Sequence, residues 1–320
     1  MSRPDRPRAR AFEAFPWKEG TEPRYALKDP EGLVEGLLVV SPPVVALLVL
    51  ADGTRTRAEI ARDWAARTGE RLPRAELDTL LAELAEGLVL EGPAAAAARA
   101  ARLAAYRAAA ARPASCAGGS YPEEPEALAA YLDARIEAAG SPPMPARVTD
   151  VLAPHIDLRG GGPCHGAAAL AYRRTEAEVF VVIGTAHAPI ARPFALTTHD
   201  FDTPLGRVPT DRALVRRLAA RGGGGLLDDE LAHRDEHSVE FQALWLRHVL
   251  RERPGLRIVP VLAGSIHASV EAGRPPTADA AVADFVAALR ELRRELGSRV
   301  AFVASVDFAH VGPRYGDPGP

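Results

Sequence analysis

The chain has 320 residues and a formal net charge of −3, with 47% hydrophobic and 25% charged residues. That length allows one large domain or two smaller ones with a well-buried core, and the charge gives no electrostatic basis for a nucleic-acid or membrane partner. Two cysteines, Cys116 and Cys164, exclude a disulfide framework and suit a reducing compartment, so a cytoplasmic protein is expected.

Met1–Lys18 is basic but has no apolar h-region, so it does not read as a secretory signal. The longest apolar stretch, Val44–Ala51, is too short to span a bilayer. Residues 1–95 read as a unit of their own. Gly36–Val40 predicts a short strand, Ser41-Pro42-Pro43 the start of a helix, and Val44–Leu50 its apolar body. Thr54 and Thr56 are placed to cap a second helix over Arg57–Thr68. Leu77, Leu80, Leu81 and Leu84 recur at helical spacing in a third, Pro73–Glu86, with Gly87 at its C-cap and Leu88-Val89-Leu90 returning as a strand. Helices followed by a β return describe a small winged-helix-like module. Its arginines alternate with Glu59, Asp63 and Glu70, so no basic face for DNA develops.

The Ala/Arg tract from Pro93 to Ala114 predicts a helical linker, with 96–114 as its span. Residues 115–320 then alternate strands with helices, which argues an α/β domain with a mixed sheet flanked by helices. An amphipathic helix is predicted over Glu126–Ala138, another from near His237 to Leu250, and a last one over Ala278–Leu296.

Four strand-like runs in this domain end on a histidine or a histidine with an aspartate. Val148–Ala153 leads to His155, Val179–Ile183 to His187, Leu256–Leu262 to His267, and Arg299–Ser305 to Asp307 and His310. Loops beyond the carboxyl ends of parallel strands converge on one crevice. Imidazoles gathered there hold a metal ion or move protons. His267 is the member expected to be incidental. Gly160-Gly161-Gly162 lacks the spacing of a phosphate loop and reads as flexible surface. His237 and Glu240, three apart, share a helix face and suit an acid/base pair, whereas Asp235 and Glu236 are accounted for by the helix dipole. His199, His233 and His248 have no comparable setting and are expected on the surface. No Gly-x-Ser-x-Gly elbow, Walker loop or dinucleotide fingerprint is present.

Six ordered segments carry a resemblance to a known family: AGGSYPEEPEAL, APHIDLRGGG, VVIGTAHAP, FDTPLGRVPTD, DEHSVEFQALWL and ASVDFAHVG. Together they resemble the Memo family, protein B of the AmmeMemoRadiSam system. The segment LLVVSPPVVALLVLADGTRTRAEIA is similar to the PqqD-like winged-helix domains, which recognise peptides or partner proteins. The Memo resemblance implies a fold like that of class III extradiol dioxygenases, which hold non-haem iron with two histidines and a carboxylate. It implies His155 and His187 as metal ligands and His237 as the pocket histidine that moves a proton. The cysteine ligand of animal members falls on Ala309, so Asp307, His310 or a water is left to complete the shell. Iron(II) is the implied metal, with copper as the alternative, serving a redox or dioxygenase-type reaction on an unknown small molecule. The alternative function is a non-catalytic metal-binding or scaffold partner of a radical-SAM enzyme and an AMMECR1-like protein. Family members continue further, so a C-terminally shortened Memo-like domain is expected.

Overall fold

Short β-branched and aromatic stretches open the chain as an antiparallel sheet of β1 (Glu13–Trp17), β2 (Arg24–Lys28) and β3 (Leu37–Val40), in that order. Pro16 lies in β1, the outer strand, where a missing backbone donor is tolerated. This is a computed structural model that describes residues 5–18, 22–307, 311 and 313. They fall into two compact units, Met1–Ala108 and Ala109–Pro320.

In the first unit, α1 (Pro42–Leu50), α2 (Arg57–Thr68), α3 (Arg74–Glu86) and α4 (Pro93–Ala108) follow the sheet. Thr56 closes a capping box: its Oγ1 accepts from Glu59 N at 3.3 Å, and Glu59 Oε2 accepts from Thr56 N at 2.7 Å. Leu47, Leu50, Ile60, Leu77 and Leu81 form the apolar core. The expected return strand at Leu88–Leu90 is reduced to a single bridge between Leu90 and Ala9. The tract read as a linker begins inside α4. There Arg99 donates to Glu31 at 2.9 Å and Glu91 at 3.2 Å, and Tyr106 is buried.

The second unit contains β4 (Ala111–Arg112), α5 (Pro125–Ala139), β5 (Val151–Pro154), α6 (Gly162–Arg173), β6 (Val179–Thr185), β7 (Phe194–Leu196) and β8 (Asp200–Phe201). These are followed by α7 (Arg212–Arg221), α8 (His237–Val249), β9 (Arg257–Ala263), α9 (His267–Glu271), α10 (Ala280–Leu296) and β10 (Val300–Val306). The main sheet runs β5-β10-β6-β9-β7, parallel except for β7. It is therefore the helix-flanked mixed sheet expected, and all four strands read from the sequence are parallel neighbours in it. Alternating side chains serve its two faces. Phe180, Val182 and Val303 pack with α5, α6 and α8, while Val179, Val181 and Val300 pack with α7 and α10. Among the described residues no helix is long and apolar enough to cross a membrane.

Close approaches of backbone fix the sheet against its helices. A Cβ on Gly184 of β6 would sit 2.3 Å from Ser238 Oγ, so only glycine admits the start of α8 there. Gly160–Gly162, expected as flexible surface, instead form the tight entry into α6. A Cβ on Gly161 would meet Ile156 Cγ2 at 2.3 Å.

Candidate metal centre

β5 ends one residue before His155, β6 two residues before His187, and β10 one residue before Asp307, while α8 begins on His237. Because β10 lies between β5 and β6, these strand ends are neighbours and their side chains share one crevice. One ligand atom from each of His155, His187 and His237 lies within 4.8 Å of the others. The His187 and His237 rings stack at 4.5 Å between centroids, and His155 stands edge-on to both at 5.3 and 5.4 Å. Asp307 Oδ1 is 3.5 Å from His155 Nε2. His310 and Ala309 lie outside the described residues. His267 stands apart from the cluster, largely exposed and facing Glu271 across one helical turn at 3.0 Å.

Each ring is held from behind. His155 Nδ1 is 3.0 Å from the Ser305 carbonyl, which accepts its proton and turns Nε2 toward the crevice. His187 Nδ1 lies 3.0 Å from both carboxylate oxygens of Glu236, and its backbone N–H donates to Glu236 Oε2 at 2.9 Å. The same carboxylate is 3.3 Å from His237 Nδ1 and caps α8 by accepting from Ser238 N at 2.9 Å. Burial acting alone raises the Glu236 carboxyl. The hydrogen bond and charge of His187, the charge of His237 and the Ser238 N–H outweigh it and bring the group down to about 2. His237 is pushed down to about 4, first by burial and then by His187 and His155, against the pull of Glu236 and Asp307. Near neutral pH it is therefore an uncharged imidazole with a lone pair to offer.

Beneath the rings lies a buried polar layer. Gln242 Nε2 donates to the Pro154 carbonyl and to Ser305 Oγ, both at 2.9 Å, and its Oε1 accepts from Tyr172 at 2.7 Å. Ser305 Oγ in turn donates to the Ser238 carbonyl at 2.7 Å. This layer ties the ends of β5 and β10 to the first turn of α8, three of the four elements that present the site.

A family model described as Memo-like protein matches residues 112–319. The chain belongs to the Memo-like family. A MEMO1 family protein of Aquifex aeolicus is 26% identical over 313 residues, covering 98% of this chain and 78% of that protein. One of Thermus thermophilus is 30% identical over 265 residues, covering 82% and 74%. One of Thermococcus onnurineus is 31% identical over 203 residues, covering 62% and 65%, so the chain spans just under two-thirds of that relative.

In this Memo-like chain three sequence expectations about the site need correction. Glu240 does not pair with His237. It is fully buried, ion-paired with Arg112, and accepts from Tyr121, from Ser115 at 2.9 Å and from Cys116 N at 3.0 Å. Nearby, burial and the Glu240 charge push the Cys116 thiol up to about 12. Glu236, read only as a dipole-compensating acid, is the carboxylate shared by two of the three rings. The signal that could have found it is its place immediately before a histidine at a helix start. His199, His233 and His248, expected on the surface, are buried. Each lies against a polar neighbour: Thr197, the Ala195 carbonyl and Asp133 respectively.

Proposed function

We propose that the crevice is a metal centre for iron(II), with copper as the competing ion, and that it serves a redox or dioxygenase-type reaction. The observation that carries this reading is the meeting of three imidazoles from β5, β6 and α8, with ligand atoms all within 4.8 Å. Three imidazoles gathered at this spacing suit first-row metals, and the acceptors behind His155 and His187 are the kind that hold such ligands in one tautomer. His155, His187 and His237 would hold the ion, so the histidine first given a proton-transfer role takes the third position. Asp307, beside His155, is placed to supply a further oxygen, and His310 follows three residues later in the chain. When bound, such an ion supplies Lewis acidity and electron transfer.

The residues of the chain set the conditions for that chemistry. The Ser305 carbonyl and the Glu236 carboxylate orient rings, and Glu236 places a negative charge 3.0 Å from His187 Nδ1 and 3.3 Å from His237 Nδ1. Were His155, His187 and Asp307 to hold the ion instead, His237, uncharged near neutral pH, would keep its lone pair free to accept a proton from a small molecule.

Anaerobic iron(II) loading with elemental analysis tests the reading. About one ion per chain is expected, lost in His155→Ala/His187→Ala. A well-folded wild type that retains neither iron nor copper would overturn it. Oxygen uptake with catechols then separates a reaction from a scaffold role. Uptake abolished by His237→Ala supports catalysis. A loaded protein without uptake that co-purifies with a radical-SAM enzyme and an AMMECR1-like protein would favour the scaffold.

A further inference from the structure

We propose that Arg112 is a positioning residue for the three-histidine crevice, acting through the backbone that presents Glu236 and His237. The inference deepens the metal-centre reading and rests on it, but it concerns a side chain that touches neither the rings nor the crevice.

Arg112 is wholly buried. Its own backbone is locked by β4, which pairs Arg112 with Phe201 in β8, and by the bond from Asp202 N to its carbonyl at 2.9 Å. The guanidinium lies 5.2 Å over the Phe201 ring. All five of its N–H groups are engaged. Nε donates to the His233 carbonyl at 2.8 Å, and one terminal nitrogen donates to the Pro113 carbonyl at 2.7 Å and to Glu240. The other donates to Ser115 Oγ at 2.9 Å and to the Glu236 carbonyl at 2.8 Å.

Two of those bonds matter for the site. His233 and Glu236 bracket the link Arg234-Asp235, which carries the chain from a short 3-10 turn into α8. One rigid planar group holds both ends of that link. Glu236 is gripped at its carbonyl by Arg112 and presents its carboxylate to His187, and the next residue is His237. A displacement at the Glu236 carbonyl therefore passes, within one residue, to two of the three rings. The ion pair with Glu240 alone does not call for this geometry, because Ser115, Cys116 N and Tyr121 already satisfy that carboxylate.

Two variants of the full chain test the idea. Arg112→Lys keeps a cation opposite Glu240 but has three N–H groups in place of five and no planar fork. Arg112→Met/Glu240→Gln removes both charges together, so that no buried carboxylate is left facing an apolar group. The primary readout is the imidazole nitrogen–proton correlation spectrum of the metal-free protein, with ring signals assigned by single substitutions. In both variants the His187 and His237 signals are expected to move, while those of His165 and His248 stay. Cobalt(II) affinity should fall roughly 10- to 100-fold with a changed visible spectrum, as for loss of a group that orients metal ligands. A variant that unfolds cooperatively yet keeps the wild-type His187 and His237 signals overturns the proposal. A wild type that takes no cobalt(II) counts against the metal reading alone, and the metal-free spectra still decide the role of Arg112.

Discussion

The two units of this molecule handle polarity in opposite ways. Among the described residues the first unit buries two polar side chains, Arg10 and Asp29, paired at 2.6 Å. The second, only about twice as long, buries sixteen, five of them histidines. All nine histidines of the chain lie beyond Ala153. Burying a polar group weakens a fold unless each donor and acceptor is matched. The first unit largely avoids that cost and rests on leucines and helix caps. The second accepts it along α8 and beneath the strand ends, where Glu236, Glu240, Gln242 and Ser305 hold a cluster of rings in place. Dense polar burial marks the surroundings of the three-histidine crevice more clearly than any single histidine does.

The sharpest contrast comes from disrupting each kind of core. Arg112→Met leaves Glu240 buried without its cation and should cost the second unit about 3–5 kcal/mol. Leu77→Ala, fully buried in the first unit, should cost about 2–5 kcal/mol through a cavity and leave metal content unchanged. Peptide-resolved hydrogen exchange with elemental analysis reads both. Loss of metal in Leu77→Ala would break the division of labour.

Acid should distinguish the units next. Burial pushes His233 down to about 4, against an ordinary value of 6.5. Between those values the unfolded chain binds a proton that the folded chain refuses, so stability is full above pH 6.5, falls toward pH 4, and levels off below it. The loss reaches about 3 kcal/mol for this residue, and His237 adds to it in the same direction. Glu236, brought down to about 2 from 4.5, contributes its own loss only below pH 4.5, so the window above belongs to the histidines. The first unit, which has no histidine, should show no such slope. Hydrogen exchange corrected for its intrinsic pH dependence checks this, and a slope undiminished in His233→Gln would assign it elsewhere.

Smaller effects refine the comparison. Glu236→Gln keeps size but loses the charge beside two rings and one of two acceptors for backbone N–H groups. Metal affinity should therefore drop about 10- to 100-fold, with a fall in melting temperature that fades below pH 4.5. His267→Ala, on an exposed helix face, should alter stability by less than about 0.5 kcal/mol and leave binding intact. A measurable loss of metal there would enlarge the site to the end of β9.

The four parallel strands of the main sheet were legible because buried parallel strands are written as continuous apolar runs, as in Val179–Ile183, whereas the short antiparallel β7 was not. The β1–β2 hairpin was not, since Pro16 interrupts its pattern and its register depends on pairing. His155, His187 and His237 could be picked out because each follows or begins a periodic element. The partners of Glu236 and Glu240 could not. The two acids sit four apart on one helix start, and only the arrival of His187 on one side and of Arg112 and Tyr121 on the other separates their roles. For the same reason His199, His233 and His248 were misplaced, because their burial follows from neighbours 2 to 115 residues away in sequence.

The sheet order carries a consequence for how the molecule comes into being. β10, the last of the described strands to be synthesised, fits between β5 and β6, which are made more than a hundred residues earlier. Until it arrives, two strand edges face an open slot, and His155 lacks the Ser305 carbonyl that aims its ring. Contacts of such long sequence separation form late and slowly. The crevice is thus a product of late assembly: under the proposed metal reading, an ion would recognise only the completed sheet, and metal occupancy would gauge its folding.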